Sequence, residues 1–327
     1  MTYLENSKQY TGSDLENIFF RPILTGDSAQ ELGVRVLYNM PQSTHIQLWD
    51  GQRNILQKFT SAGWAGGTAT KRVEKAIDLQ RVKAEIGFSA ADYFSMVYEK
   101  IAAITDTNME DLSGTILEQA ETELFRQALA ENIRATMWIG DTSADSGYNT
   151  FDGFLKIIKD LVTEQAVYNI TYQSTDLEDP NYIAELLDKL WVNAEPRVQD
   201  MKGDGHLAYF VSSDICHLYE KYLDSKGVDS AYVDTVNGRP RLAYHGIPII
   251  DVRIGSYLES LITYHRSFCM LTDTRNLVMA VNTADMPGNE VRMWYNPDEM
   301  ENRQRAVFMA GCTVLDESLI TYAYKQQ

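Results

Sequence analysis

The longest regular pattern of apolar and polar positions runs from about Ser113 to Gly140. Leu117, Ala120, Leu124 and Ala128 recur at steps of three and four, and Phe125, Leu129, Ile133 and Met137 continue the stripe, slightly rotated; this is the spacing of one helix face. Between them lie Glu118, Gln119, Glu121, Glu123, Arg126, Gln127, Glu131 and Arg134, good helix formers whose heads suit the solvated side. Thr115 and Glu118 have the spacing of a capping box. No proline interrupts the run, so the pattern predicts a helix of about 25 residues and about 37 Å, roughly twice the mean length. It ends at Gly140-Asp141 and reads as a spine against which the rest of the chain is laid.

Upstream the period changes to two. Val34, Val36 and Tyr38 alternate with Arg35 and Leu37, and His45 to Trp49 alternates again before the turn dipeptide Asp50-Gly51. A small-residue stretch follows to Thr70, and then Val73, Lys75, Ile77, Leu79, Arg81, Lys83 and Glu85 mark a returning strand. Charged side chains on alternate positions suit a two-stranded ribbon that projects from the body. Such a ribbon is marginal alone, so its support is expected from a neighbouring copy. Residues 1–32 read as an arm, an extended segment or a frayed end, with Phe19-Phe20-Arg21-Pro22 as its one sticky patch, and Ser89 starts a short helix.

After the spine come an apolar segment from Phe154 to Leu161, a strand at Asn169–Tyr172, a helix opened by Pro180, a buried strand at Leu207–Val211 and a helix begun at Ser212-Ser213-Asp214. Together they describe a small α/β unit. The stretch from Leu242 to Asp251 reads as a strand, a tight turn and a second strand; 268–272 and 277–281 read as further strands of the same region. The tail reads as a strand around Val291–Tyr295, a polar break at Asn296-Pro297-Asp298, the segment Arg305–Val314 and a last strand near Leu319–Tyr322.

Composition narrows the function more than the fold. A net charge of −17 argues against nucleic-acid binding as the main activity, since phosphate contacts need clustered Lys and Arg. Cys216, Cys269 and Cys312 show no paired spacing and are expected to be reduced, mostly buried thiols. The N-terminal residues lack the pattern of a signal peptide, and no apolar run approaches the ~18 residues of a membrane span. Gly63 to Thr70 lacks phosphate-loop spacing. Asp141, Ser143, Asp145, Asn149 and Asp152 follow a calcium-loop spacing, but Ser146 stands where glycine is required and Asp152 where a bidentate Glu is, so a polar linker is the better reading. The five histidines have no ligand-spaced partners and no nucleophile elbow occurs. No catalytic constellation emerges, and neither a cofactor nor a metal is expected.

The order of these elements, taken with three short passages, resembles the major capsid protein family of tailed bacteriophages, whose shell fold is shared with encapsulins and the herpesvirus capsid floor. Ile139-Gly140-Asp141 through Phe151-Asp152-Gly153-Phe154-Leu155 is similar to the family's spine-end turn. His245-Gly246-Ile247-Pro248-Ile249-Ile250 is similar to a strand of its axial domain, and Val291 to Arg303 with Ala306 to Tyr322 resembles its closing strand and helix. The resemblance implies an α+β fold with an N-terminal arm (1–32), an extended hairpin loop (33–88), a peripheral domain with the spine helix (89–166), an α/β axial domain (167–287) and peripheral C-terminal strands (288–327). It implies a non-enzymatic shell subunit whose partners are further copies of itself in pentamers and hexamers, with portal and scaffolding proteins as candidate partners, weak non-specific contact with packaged DNA, and no membrane. Trp49, Lys58, Phe59, Trp64 and Arg72 are the hairpin residues expected at the subunit interface. A fused scaffolding region is not expected in the residues before the hairpin, and Lys58, Lys71 and Lys75 have no identifiable crosslinking acceptor. An encapsulin-like nanocompartment and a soluble α/β enzyme are the alternatives.

Overall fold

The structure is a computed structural model and describes residues 7–25, 32–40, 43–49, 72–89, 116–227, 233–234, 239–240, 242–258, 266–282 and 289–326. The short helix read from Ser89 and the capping box at Thr115 lie outside these residues, as does the ribbon tip.

The fold is built around a 14-residue strand, β15 (Glu301–Val314). On one side it pairs antiparallel with β14 (Glu290–Asn296) and, further along, with β13 (Leu277–Asn282). On the other it pairs with β5 (Gln80–Ser89). The N-terminal strand β1 (Lys8–Tyr10) extends the sheet beyond β14, and β2 (Arg35–Tyr38) joins β13 in parallel. Side chains of β15 alternate as a pleated strand requires: Asn302, Gln304, Ala306 and Phe308 point inward and are buried, while Arg303 and Arg305 point outward. Arg305 pairs with Glu290, and Arg303 with Glu299. The period of two runs through 301–308, beyond which both faces are covered, and the helix implied for this part of the tail is replaced by strand.

The spine helix, Ile116–Ile139, lies on the inner face of this sheet. Phe125, Leu129, Ile133 and Met137 are buried with Phe308, Ala306, Val291 and Met293 in one cluster; each such side chain contributes about 1.5–3 kcal/mol by leaving water. The stripe runs further toward the N-terminus than the apolar residues do. Glu118 and Glu121, which the pattern puts on the solvated side, are buried, because steps of three and four back from Phe125 keep them facing the sheet. Lys8 on β1 lies 3.8 Å from Glu118.

The arm is not extended beyond β1. It coils into helical turns, Gly12–Asp14, Leu15–Phe20 and Arg21–Thr25. Leu15, Phe19 and Ile23 recur at four-residue steps beside Phe20 and Leu24, and all five are buried in the same cluster as the spine. Phe20 meets Phe308 edge-on, with ring centroids 4.8 Å apart.

The ribbon consists of β3 (Ser43–Trp49) and β4 (Arg72–Asp78), paired antiparallel. Its returning strand ends earlier than the sequence suggested. Residues 80–89 leave it and enter the large sheet, and the alternation records the change. Ile77 and Leu79 are buried on odd positions, Gln80 and Arg81 are both exposed, and Val82 resumes burial on even positions. The expectation that the hairpin is too polar for its own core fails at its base. Ile77 and Leu79 pack with Val278, Ala280, Met309 and Leu315 on the outer face of the large sheet. That face comes so close to the ribbon that a Cβ on Gly311 would sit 2.6 Å from the Asp78 carbonyl oxygen.

The second sheet has the order β10 (Leu242–Tyr244), β11 (Ile247–Asp251), β7 (Leu207–Val211), β12 (Phe268–Asp273), β16 (Thr321–Lys325), β6 (Tyr168–Tyr172); a short pair, β8 (Val233–Asp234) and β9 (Arg239–Pro240), stands apart. Helices Tyr182–Val192 and Ser213–Ser225 cover one face, burying Ile183, Leu186, Leu187, Ile215 and Leu218 against Tyr209, Val211 and Leu271. The other face, with Ala208, Phe210 and Met270, joins the spine cluster. The β10–β11 hairpin turns at His245 (φ 50°) and Gly246 (φ 83°), two left-handed residues as a tight hairpin turn needs. Two strands cross the boundaries drawn from the sequence: β13 pairs in the large sheet although β12 pairs in the small one, and β16 returns to the small sheet. Among the described residues no helix is long and apolar enough to cross a membrane.

Two substitutions test this packing. Leu79→Ala in the unassembled subunit should cost about 2–5 kcal/mol, the usual range for a buried leucine; a ribbon supported only by a neighbour would show no loss. Gly311→Ala should cost roughly 3 kcal/mol or more, because the Asp78 backbone must move, whereas Gly203→Ala, with nothing within 4 Å of the added carbon, should lie near neutral. Urea unfolding midpoints measure both.

Candidate functional site

Three places combine unusual geometry with close contact between elements distant in sequence. The first is the end of the spine. Gly140 N–H donates to the Thr136 carbonyl at 2.8 Å, closing the helix, and Gly153 N–H donates to the Gly140 carbonyl at 2.9 Å. A Cβ on Gly140 would lie 2.1 Å from the Phe151 carbonyl oxygen, and one on Gly153 2.6 Å from that of Thr136. Two stretches of backbone therefore touch where only glycine fits. Beside them Trp138 is fully buried, edge-on to Phe154 at 5.3 Å and tilted against Phe210 at 5.9 Å. One turn earlier Arg134 donates to the carbonyls of Val252 (3.0 Å) and Arg253 (3.3 Å), tying the spine to the connection that follows β11.

The loop between the two glycines carries the calcium-like spacing, and its Asp141 and Asp152 carboxylates are engaged within the loop. Asp152 Oδ1 accepts from the N–H and hydroxyl of Thr142, both at 2.8 Å, and Asp141 Oδ1 accepts from Ser143 N–H at 2.9 Å. Among the described residues there is no group of three or more His, Cys, Asp or Glu arranged to hold a metal ion. Burial pushes the thiols of Cys216, Cys269 and Cys312 up, that of Cys216 to about 12. They stay protonated at neutral pH and offer little nucleophilic thiolate.

The second place is the ribbon. Trp49 and Arg72 stand opposite one another in register at its outer described end. Lys58, Phe59 and Trp64 lie outside the described residues. Beneath the ribbon's exit, between β5 and the spine, is an open cavity of about 340 Å³ walled by Phe125, Leu129, Ile133 and Phe308.

The third place was not anticipated from the sequence: the two passages that carry the chain between sheets, Asp273–Leu277 and Leu315–Thr321. They lie side by side. The buried Asn276 carboxamide donates to the Asp316 carbonyl and accepts from Asp316 N–H, both at 2.8 Å. Each passage opens with an aspartate that caps a single turn: Asp273 Oδ1 accepts from Arg275 N–H at 2.8 Å, and Asp316 Oδ1 accepts from Ser318 N–H at 3.0 Å. The only sequence signal is this repeated spacing of an Asp two residues before a capped amide, which is common in loops of every kind. Arg197 then reaches in from the small α/β unit. It is bidentate to Glu195 at 2.9 and 3.0 Å and also donates to Asp316 at 3.2 Å and Ser318 Oγ at 2.7 Å.

A spine helix laid across a long mixed sheet, a ribbon leaving that sheet, and a separate α/β unit at the spine's end together make the shell fold of tailed-phage capsid proteins. Among solved structures, the chain is similar to one of the satellite phage P4 procapsid, at 10% identity over 94% of this chain and 99% of that one with a TM-score of 0.59. It is similar also to the capsid of a native GTA particle (12% identity, 92% and 90% covered, TM-score 0.52) and to that of Gordonia phage Cozz (12%, 92% and 87%, 0.53). No protein-family profile and no curated protein matches the sequence. The likeness is one of fold.

Gly140→Ala and Gly153→Ala should each cost roughly 3 kcal/mol or more, because backbone rather than a flexible side chain must move; loss of soluble protein or a strongly lowered Tm is the expected reading. The Glu195 carboxyl is held below its ordinary value by the Arg197 hydrogen bonds. A lowered carboxyl pKa means that its stabilisation is present above the ordinary carboxylate range and is lost as the pH falls through the folded value. The stability difference between the wild-type protein and Glu195→Gln should therefore shrink toward zero on acidification, as seen by denaturant titration across that range.

Proposed function

We propose that this chain is a major capsid protein, a structural subunit that assembles with its own copies into pentamers and hexamers of an icosahedral phage head around double-stranded DNA. The observation that carries this reading is the combination of a spine-and-sheet body with a ribbon whose base is anchored on the outer sheet face and whose strands end at Trp49 and Arg72. A body of that kind forms a plate, and a ribbon anchored at its base is placed to reach an adjacent plate. In this reading residues 1–32 are the arm, 33–88 carry the hairpin, 89–166 and 288–327 supply most of the peripheral part and 167–287 most of the axial part, with β13 assigned to the peripheral sheet and β16 to the axial one. Trp49, Lys58, Phe59, Trp64 and Arg72 act at the contact between copies. Portal and scaffolding proteins are the further partners, the site of action is the virion, and the chain has no catalytic role. The net charge of −17 keeps the shell wall from adhering to packaged DNA.

Purified protein examined by size-exclusion chromatography and negative-stain microscopy should form rings or hollow particles of uniform size. A monomer that assembles under no condition would count against the reading, and particles that hold one cargo protein and no DNA would identify a nanocompartment instead. Deleting residues 52–70 should leave the subunit folded, with unchanged far-ultraviolet circular dichroism, and abolish particles.

A further inference from the structure

The passage Leu315–Ile320 is short, yet it contributes to all three apolar cores. Leu315 belongs to the small cluster under the ribbon, with Ile77 and Leu79. Leu319 packs against the cluster of the α/β unit, with its two helices. Ile320 is buried in the large cluster that holds the spine. A chain segment with one apolar side chain in each of three bodies cannot shift without disturbing all of them, since packed interiors yield little.

Its polar side chains repeat the arrangement. Lys75 on β4 reaches Glu317 with Nζ–Oε1 2.5 Å, both side chains about one-third exposed (34% and 36%). Asp316 and Ser318, on either side of Glu317, receive Arg197 of the α/β unit. Asn276 fixes Asp316 to the other passage through its donor and its acceptor. Lys75 and Arg197 are far apart in sequence and sit on different bodies, and three consecutive residues, Asp316 to Ser318, hold both.

We propose that Asp316–Ser318 is a clasp that couples the direction of the ribbon to the position of the α/β unit. When the α/β unit moves, Arg197 carries Asp316 and Ser318 with it; Glu317 lies between them, so Lys75 and the ribbon follow. The device belongs to the single subunit and is tested there, so the test stands apart from whether shells form.

The experiment is hydrogen exchange on the full chain, kept below its assembly concentration, for wild-type protein, Lys75→Met, Arg197→Met and the double variant. Lys75→Met keeps the apolar stem and removes the charge. An ion pair at this exposure predicts a modest effect, about a threefold faster exchange of amides in 43–49 and 72–78. Arg197→Met, which touches no ribbon residue, should speed the same ribbon amides by a similar factor. The double variant should exchange no faster than either single one, because both act through the same three residues. The charge-reversed pair Lys75→Glu with Glu317→Lys should restore slow ribbon exchange. The proposal is overturned if Arg197→Met alters only its own helix, Pro196–Asp200, or if the two effects multiply in the double variant. A rise spread evenly over β7, β12 and β15 overturns it too, by assigning both residues to general stability.

Discussion

The fold depends on one strand having to satisfy different neighbours on each side and each face. Along its edges β15 bonds to β14 and β13 on one side and to β5 on the other. Its even positions Ala306, Phe308, Ala310 and Val314 are buried in the cluster that holds the spine and the N-terminal helical turns. Its odd positions meet solvent through Arg303 and Arg305, and then meet the ribbon base at Met309. The register of every surrounding element is therefore tied to a single sequence, because a slip of one residue would send Arg303 and Arg305 under the spine and Ala306 and Phe308 into water.

That constraint also sets how the two sheets are covered. The large sheet is covered on the inside by helix and on part of the outside by the ribbon base, so it buries apolar surface on both faces. The small sheet uses its two faces differently: helices close one, and the spine end with Trp138 closes the other. The glycine pair at Gly140 and Gly153 lets the spine stop abruptly enough for Phe154 to turn back against Trp138.

The spine was legible in the sequence because its period is long and uninterrupted, and the glycines at its end were legible because a helix must stop somewhere. The strands of the small unit were legible where apolar runs were short and bounded. Other parts were hidden for identifiable reasons. Glu118 and Glu121 are charged residues on a buried face, which a hydropathy pattern assigns to the surface. Leu15, Phe19 and Ile23 do have helical spacing, but polar neighbours such as Glu16 and Asn17 dilute it into an arm. The break between β4 and β5 is a one-residue change of phase at Gln80-Arg81, easily read through as one long strand. The separation of β12 from β13 leaves no local trace, because both are mostly apolar and uniformly buried, and only strand pairing distinguishes them. Asn276, Arg197 and Asp316 escaped notice because a junction between sheets is a matter of three-dimensional proximity, with no period to betray it.

Residues 301–325 fill the middle of one sheet and an inner place in the other. A ribosome reaches them after everything else described. Until then the nascent chain has a helix without a floor and two half-sheets with open edges, and Phe125, Leu129, Ile133 and Trp138 have little to rest on. Chains that stop short of this stretch consequently lack the strand on which the spine, the N-terminal turns and the ribbon base all rest. The topology thereby acts as a check on completeness, withholding the packed fold until synthesis has passed through residues 301–325.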